Sequence, residues 1–183
     1  VLVYYDKTHD PDYDLGEVYS VYLQNLLGHF PELTQIVSPI SRYEKDEIEK
    51  CRATLYLGSY FENDIPSSFF EDFKKTEKNV AWLGYNIWKF APDELEQMFG
   101  HSYVGLTELD RENLNPQGDP SFFKFIDYKG ERFDKFAQWV QREGEQVFAA
   151  PFEQIALEKT NEDHQVEVLA TSVHDASGEE IPY

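Results

Sequence analysis

Apolar residues in this chain fall first into short unbroken runs separated by helical stripes, and then, in the last third, into hairpin-like pairs. Residues 1–5 (Val-Leu-Val-Tyr-Tyr) form a continuous run closed by Asp6, which suits a strand covered on both faces. After a polar loop, Asp14 and Glu17 have capping-box spacing. Leu15, Val18, Tyr19, Tyr22, Leu23, Leu26, Leu27 and Phe30 then recur at offsets of three and four, one wide helical stripe ended by Gly28 and Pro31. Residues 33–40 predict a second strand, and Ser41 with Glu44 predicts a short helix running to Cys51. Residues 53–57 predict a third strand ending in Gly58-Ser59-Tyr60. Pro66 opens a helix bearing Phe69, Phe70 and Phe73. Residues 80–83 predict a fourth strand ending in Gly84-Tyr85-Asn86, Pro92 starts a helix through Met98, and residues 103–106 predict a fifth strand.

Strands alternating with helices predict an α/β fold, a right-handed, doubly wound, mostly parallel sheet of flavodoxin-like type. The later pattern differs. Residues 122–128 and 131–136 flank Lys129-Gly130, and residues 148–158 and 166–173 flank Asn161-Glu162-Asp163, so two hairpins are expected. The predicted organisation is a core over residues 1–140 and an antiparallel β extension over 141–183, packed on the same domain.

Charge narrows the partners. There are 35 Asp and Glu against 16 Lys and Arg, a net charge of −19, which argues against nucleic acid and anionic bilayers. No apolar run is long enough to span a membrane. The single cysteine, Cys51, rules out an internal disulfide framework and a thiolate-rich metal site. The chain opens on a strand without an initiator Met and carries no signal peptide, which fits a processed product whose leader has been removed.

In an open α/β sheet the ligand crevice lies beyond the carboxyl ends of the strands. Here those ends supply Asp6, Ser59, Tyr60, Tyr85 and Asn86, with Trp88 close behind; these six are the candidate ligand-binding residues. The plainer alternative is that the glycines allow tight turns while the aromatics cover the core. No cofactor is expected. A flavin or nucleotide phosphate needs a Gly/Ser/Thr-rich first turn, whereas this one carries Asp6, Asp10, Asp12 and Asp14. Asp10, Asp12 and Asp14 have the spacing of a calcium loop, but Gly16 comes one place late and Val21 stands where the closing Glu belongs. A phosphoacceptor aspartate is missing too, since Gly58-Ser59 follows the third strand. Cys51 precedes a strand instead of sitting on an elbow after one, and Ser59 lacks a Gly-x-Ser-x-Gly setting, so no catalytic residue is assigned. Of the scattered histidines, His29 and His9 are those that could join Asp6 in a hydrolase, the rival reading.

Several segments together resemble a known group. They are residues 1–6 (Val-Leu-Val-Tyr-Tyr-Asp), Asn25-Leu26-Leu27-Gly28-His29-Phe30, Tyr56-Leu57-Gly58-Ser59, Trp82-Leu83-Gly84-Tyr85-Asn86-Ile87-Trp88 and Ile181-Pro182-Tyr183. The chain resembles the N-terminal, class I glutamine-amidotransferase-like domain of uncharacterised bacterial polysaccharide-deacetylase-like envelope proteins. The resemblance implies a periplasmic or extracellular accessory domain, with a C-terminal domain of the same protein as partner and a glycan as possible ligand. It also implies that the amidotransferase cysteine is lost at Tyr85/Asn86, leaving glycan binding, or a scaffold between domains, as the remaining roles.

Overall fold

Four of the five runs read as parallel strands form one parallel sheet in the computed structural model. They are β1 (Leu2–Tyr5), β2 (Ile36–Pro39), β3 (Ala53–Gly58) and β4 (Asn79–Gly84), in the order β2-β1-β3-β4. Every residue of β1 is buried, as befits a strand with neighbours on both edges. The structure describes residues 1–7, 14–161, 163 and 165–183, which gather into two units, Val1–Glu94 and Leu95–Tyr183. The parallel sheet belongs to the first unit, and residue 140, the expected limit of the core, lies within the second.

Two helices of the first unit meet the sheet very differently. Helix α2 (Ser67–Lys75) brings Phe69 and Phe73 onto an aromatic row formed by Tyr4, Tyr56 and Trp82, which stand in register across three strands. Phe69 is fully buried, with the rings of Tyr4, Tyr43 and Tyr56 centred 5.1–5.8 Å away. Burying a phenol requires a partner for its hydroxyl. Tyr4 donates to Glu47 (2.6 Å), Tyr43 to Asp72 (2.5 Å) and Tyr56 to Asp6 (2.5 Å). Burial and the neighbouring carboxylates raise all three phenols above their usual value of 10.0.

Since the unfolded phenols ionise near pH 10 and the folded ones do not, their contribution is present below pH 10 and lost above it. The urea midpoint of the first unit is therefore expected to fall steeply once pH passes 10. The part of the tyrosinate absorbance that comes from these three phenols should appear together with loss of helical circular dichroism, not ahead of it.

Helix α1 (Leu15–Leu27) starts as predicted, with Glu17 N–H donating to the Asp14 carboxylate at 3.1 Å. Its inward face, however, is small: Gly16 and Ser20 are its buried residues. A β-carbon on Gly16 would lie 1.8 Å from the Asp6 carbonyl oxygen, so the helix can touch the end of β1 only through glycine. That contact turns much of the apolar stripe outward. Val18, Tyr19, Tyr22, Leu26 and Phe30 are each between 43% and 63% exposed.

Other expectations need correction. No helix forms before Cys51; two short 3-10 turns, Ile40–Arg42 and Ile48–Lys50, stand there, separated by Asp46 at φ 64. Helix α3 (Pro92–Phe99) begins at Pro92 as read. The next strand, β5 (His101–Leu106), is not a fifth member of the parallel sheet. It pairs antiparallel with a late strand, and Val104 at its centre is 63% exposed. A strand with one open face suits antiparallel pairing better than a doubly covered parallel position.

The second unit is antiparallel throughout its described strands. After β5 come β6 (Asp110–Leu114), β7 (Pro120–Ser121), β8 (Phe123–Tyr128), β9 (Glu131–Asp134) and β10 (Gln138–Arg142). Then follow β11 (Glu145–Ala149), β12 (Ile155–Lys159), β13 (Ala170–His174) and β14 (Glu180–Pro182). The hairpin read at Lys129-Gly130 forms between β8 and β9, both turn residues having positive φ. The one read around residues 161–163 does not. Pro151 interrupts the 148–158 run, so β11 pairs with β10, β12 with β5, and β13 with β8 and β14.

Lys135 braces this unit, donating to Gln154 Oε1 (2.8 Å) and to Ser172 Oγ (3.0 Å). Burial pushes its amine down to about 8. Raising pH from about 8 towards 10.5 removes the cost of burying that charge, a trend opposite to the one in the first unit.

Candidate functional site

The six predicted site residues do converge at the carboxyl ends of β1, β3 and β4, but not as an open crevice. Asp6 follows β1 and is fully buried. Five donors among the described residues reach its two oxygens. Oδ1 accepts from Tyr56 Oη (2.5 Å) and Asn63 Nδ2 (2.7 Å). Oδ2 accepts from the backbone N–H of Ser59 (3.0 Å) and Tyr60 (3.1 Å) and from Asn86 Nδ2 (3.1 Å). Burial is the largest influence on this carboxyl and lifts it above its ordinary value, opposed by the hydrogen bonds from Tyr56, Tyr60, Ser59 and Asn63.

Asn86, also fully buried, sits in left-handed conformation at φ 70 after the end of β4. Its amide nitrogen faces three acceptors: Asp6 Oδ2, Tyr56 Oη (3.1 Å) and the Tyr60 carbonyl (2.9 Å). Turning the amide over would set oxygen against oxygen at all three, so its orientation is fixed. Its own Oδ1 and the Ser59 Oγ are buried without a hydrogen-bond partner among the described residues.

The consequence is mechanical. Asp6 ties the loop after β3, through Ser59, Tyr60 and Asn63, to the turn after β4, through Asn86. Gly58 and Gly84 pair directly across the two strands, and Tyr85 N–H donates to the Gly58 carbonyl at 2.9 Å. A β-carbon on Gly58 would lie 2.3 Å from the Tyr85 oxygen, and one on Gly84 would lie 2.2 Å from the Gly58 oxygen.

What faces outward is aromatic. Tyr60 is 50% and Phe61 54% exposed, and Tyr85 and Trp88 are half-buried behind them. The rings of Phe61 and Trp88 are centred 5.1 Å apart, those of Tyr85 and Trp88 5.9 Å, and those of Phe61 and Tyr85 6.2 Å. At those separations the rings pack on one another and leave no cage between them, so a ligand would meet their outer faces. Trp88 Nε1 donates to Glu62 Oε1 at 2.8 Å, and Lys89 lies 3.4 Å from the other Glu62 oxygen. The Trp88 hydrogen bond, with Lys89, holds the Glu62 carboxyl below its usual range.

Phe61, Glu62, Tyr56 and Asn63 were missed in the sequence. The run Ser59-Tyr60-Phe61-Glu62-Asn63 offers one signal, two aromatics followed by an acid and an amide directly after a strand.

The acid–histidine pair is not assembled with His29. Gly16 lies against Asp6 at one end of α1, and His29 follows its other end, about 20 Å away at 1.5 Å per residue. His101 belongs to the second unit, with Nδ1 2.8 Å from the Phe99 carbonyl. His9, Asp10 and Asp12 lie outside the described residues, and Asp14 serves as the α1 cap. Among the described residues, no three His, Cys, Asp or Glu side chains gather as a metal site requires, and no helix is long and apolar enough to cross a membrane. No protein-family model matches the chain, nor does any curated protein or solved structure.

Proposed function

We propose that this chain is a non-catalytic accessory domain, flavodoxin-like and amidotransferase-like in its first unit, of a larger polysaccharide-deacetylase-like protein. It binds glycan on the outer faces of the Tyr60, Phe61, Tyr85 and Trp88 rim. In this reading it works outside the cytoplasm, beside a C-terminal domain of the same protein. One observation carries the choice of binding over catalysis: the Asp6 carboxylate is buried and already engaged by five donors. A general base needs a free lone pair within reach of substrate, and Asp6 offers none. An aromatic surface held rigid beforehand loses little entropy when a sugar ring stacks on it.

The test is titration with short oligomers of N-acetylglucosamine and of glucosamine, followed by tryptophan fluorescence and by acetate release. Saturable binding without acetate release is expected. Phe61→Ala should weaken it by about tenfold, or ~1.4 kcal/mol, with little change in urea midpoint because the Phe61 ring is half-exposed. Acetate release that Asp6→Ala abolishes would replace this reading with the hydrolase.

A further inference from the structure

Helix α1 carries one charged side chain in thirteen, Glu17, in a chain of which 28% of residues are charged. Its outward surface is instead Val18, Tyr19, Val21, Tyr22 and Leu26, each at least 43% exposed, and Phe30, three residues past the helix end, is 54% exposed. A solvent-facing helix ordinarily carries its polar residues there. Here the close approach at Gly16 has spent the small residues, Gly16 and Ser20, on the inward contact. Scattered exposed apolar residues need no explanation, but a contiguous, nearly uncharged patch on a chain of net charge −19 does.

We propose that this face pairs two copies of the chain about a two-fold axis, α1 against α1 in antiparallel arrangement. Val18, Tyr22 and Leu26 recur at intervals of four and form one ridge of the helix. With the axis at Tyr22, the two Tyr22 rings meet and Val18 of each copy faces Leu26 of the other. An isologous contact asks that one patch complement itself, and an apolar ridge symmetric about its middle residue does so. Antiparallel packing also sets each helix dipole against its opposite.

The size is adequate. Six side chains roughly half-exposed offer about 500 Å² per copy, so a symmetric pair buries roughly 1,000 Å², near the lower limit of a specific interface. A reversible, concentration-dependent dimer is the expected product. A lipid surface is a poorer occupant, because α1 has no Lys or Arg and the net charge repels anionic headgroups. A partner of opposite charge would find no ion-pairing group on the ridge.

Two polyanions joined by an apolar contact give a characteristic salt response: screening removes repulsion without weakening the contact, so dimer increases with ionic strength. Analytical ultracentrifugation of the protein across concentration, at low and at 0.5 M sodium chloride, reads this directly. The expected result is a monomer–dimer equilibrium that tightens with salt and that Tyr22→Glu weakens at least thirtyfold, with circular dichroism unchanged. In a Cys51→Ser background, Tyr22→Cys should form an intermolecular disulfide on oxidation, and Glu71→Cys on α2 should not. A monomer at every concentration and salt would overturn the proposal. So would a dimer indifferent to Tyr22→Glu, or one in which Tyr22→Cys fails to cross-link.

Discussion

Asp6→Ala is expected to destabilise the first unit by about 3–5 kcal/mol, among the largest effects of any single substitution in this chain. The change removes no contact with solvent or ligand. It takes the acceptor from five donors. Asn86 keeps the Tyr60 carbonyl and Asn63 that of Asp64, but the Tyr56 hydroxyl and the Ser59 and Tyr60 N–H groups lose the acceptor that Asp6 gave them. Each buried donor left without an acceptor costs on the order of 1–3 kcal/mol, less where the loop can shift and admit water. Asp6→Asn should cost less, about 2 kcal/mol, because it keeps one acceptor oxygen but turns an NH₂ group towards other donors. Urea titration followed by tryptophan fluorescence measures both. If Asp6→Ala unfolds at the wild-type midpoint, the carboxylate is not holding the loop to the turn. Under the proposed function, glycan affinity should fall with stability in these variants, since loss of Asp6 frees the loop that presents Phe61.

Gly84→Ala is expected to cost about 3 kcal/mol through two separable effects. Gly84 has φ +81, and its β-carbon would stand 2.2 Å from the Gly58 carbonyl oxygen. The positive φ alone is worth roughly 1 kcal/mol. Overpacking against backbone adds about 1–3 kcal/mol, because β3 and β4 must separate where they carry the site. Gly118 provides the control: its φ is +84, but nothing among the described residues lies within 4 Å of where a β-carbon would be. Gly118→Ala should therefore show the conformational cost by itself. Equal losses for the two variants in urea denaturation would mean that strand separation at Gly84 is unimportant.

The parts of this molecule legible in the sequence are those decided locally. The apolar run ending at Asp6, the cap at Asp14, the turns after Gly58 and Gly84 and the Lys129-Gly130 hairpin each depend on a few adjacent residues, and each is present. Even the convergence of Asp6, Ser59, Tyr60, Tyr85, Asn86 and Trp88 follows from a rule about strand ends in parallel sheets. Their state did not follow. Whether Asp6 faces a ligand or a ring of donors depends on Tyr56 and Asn63, which register and loop closure deliver from fifty and fifty-seven residues away. A tyrosine inside a strand pattern reads simply as core.

Helix α1 shows the same limit. Its apolar periodicity is real, but the side it turns inward is chosen by the steric demand at Gly16, and the clue was the small pair Gly16 and Ser20. The partner of β5 was hidden because residues 155–159 look like any other short strand.

Under the proposed function, Asp6 shapes the aromatic rim and the rim, not the carboxylate, meets the ligand. A single NMR tube containing the protein and an N-acetylglucosamine oligomer tests both halves. The prediction is saturable shifts of the Phe61 and Trp88 ring resonances while no free-acetate methyl signal grows. Acetate accumulating while those two rings stay unmoved would contradict it.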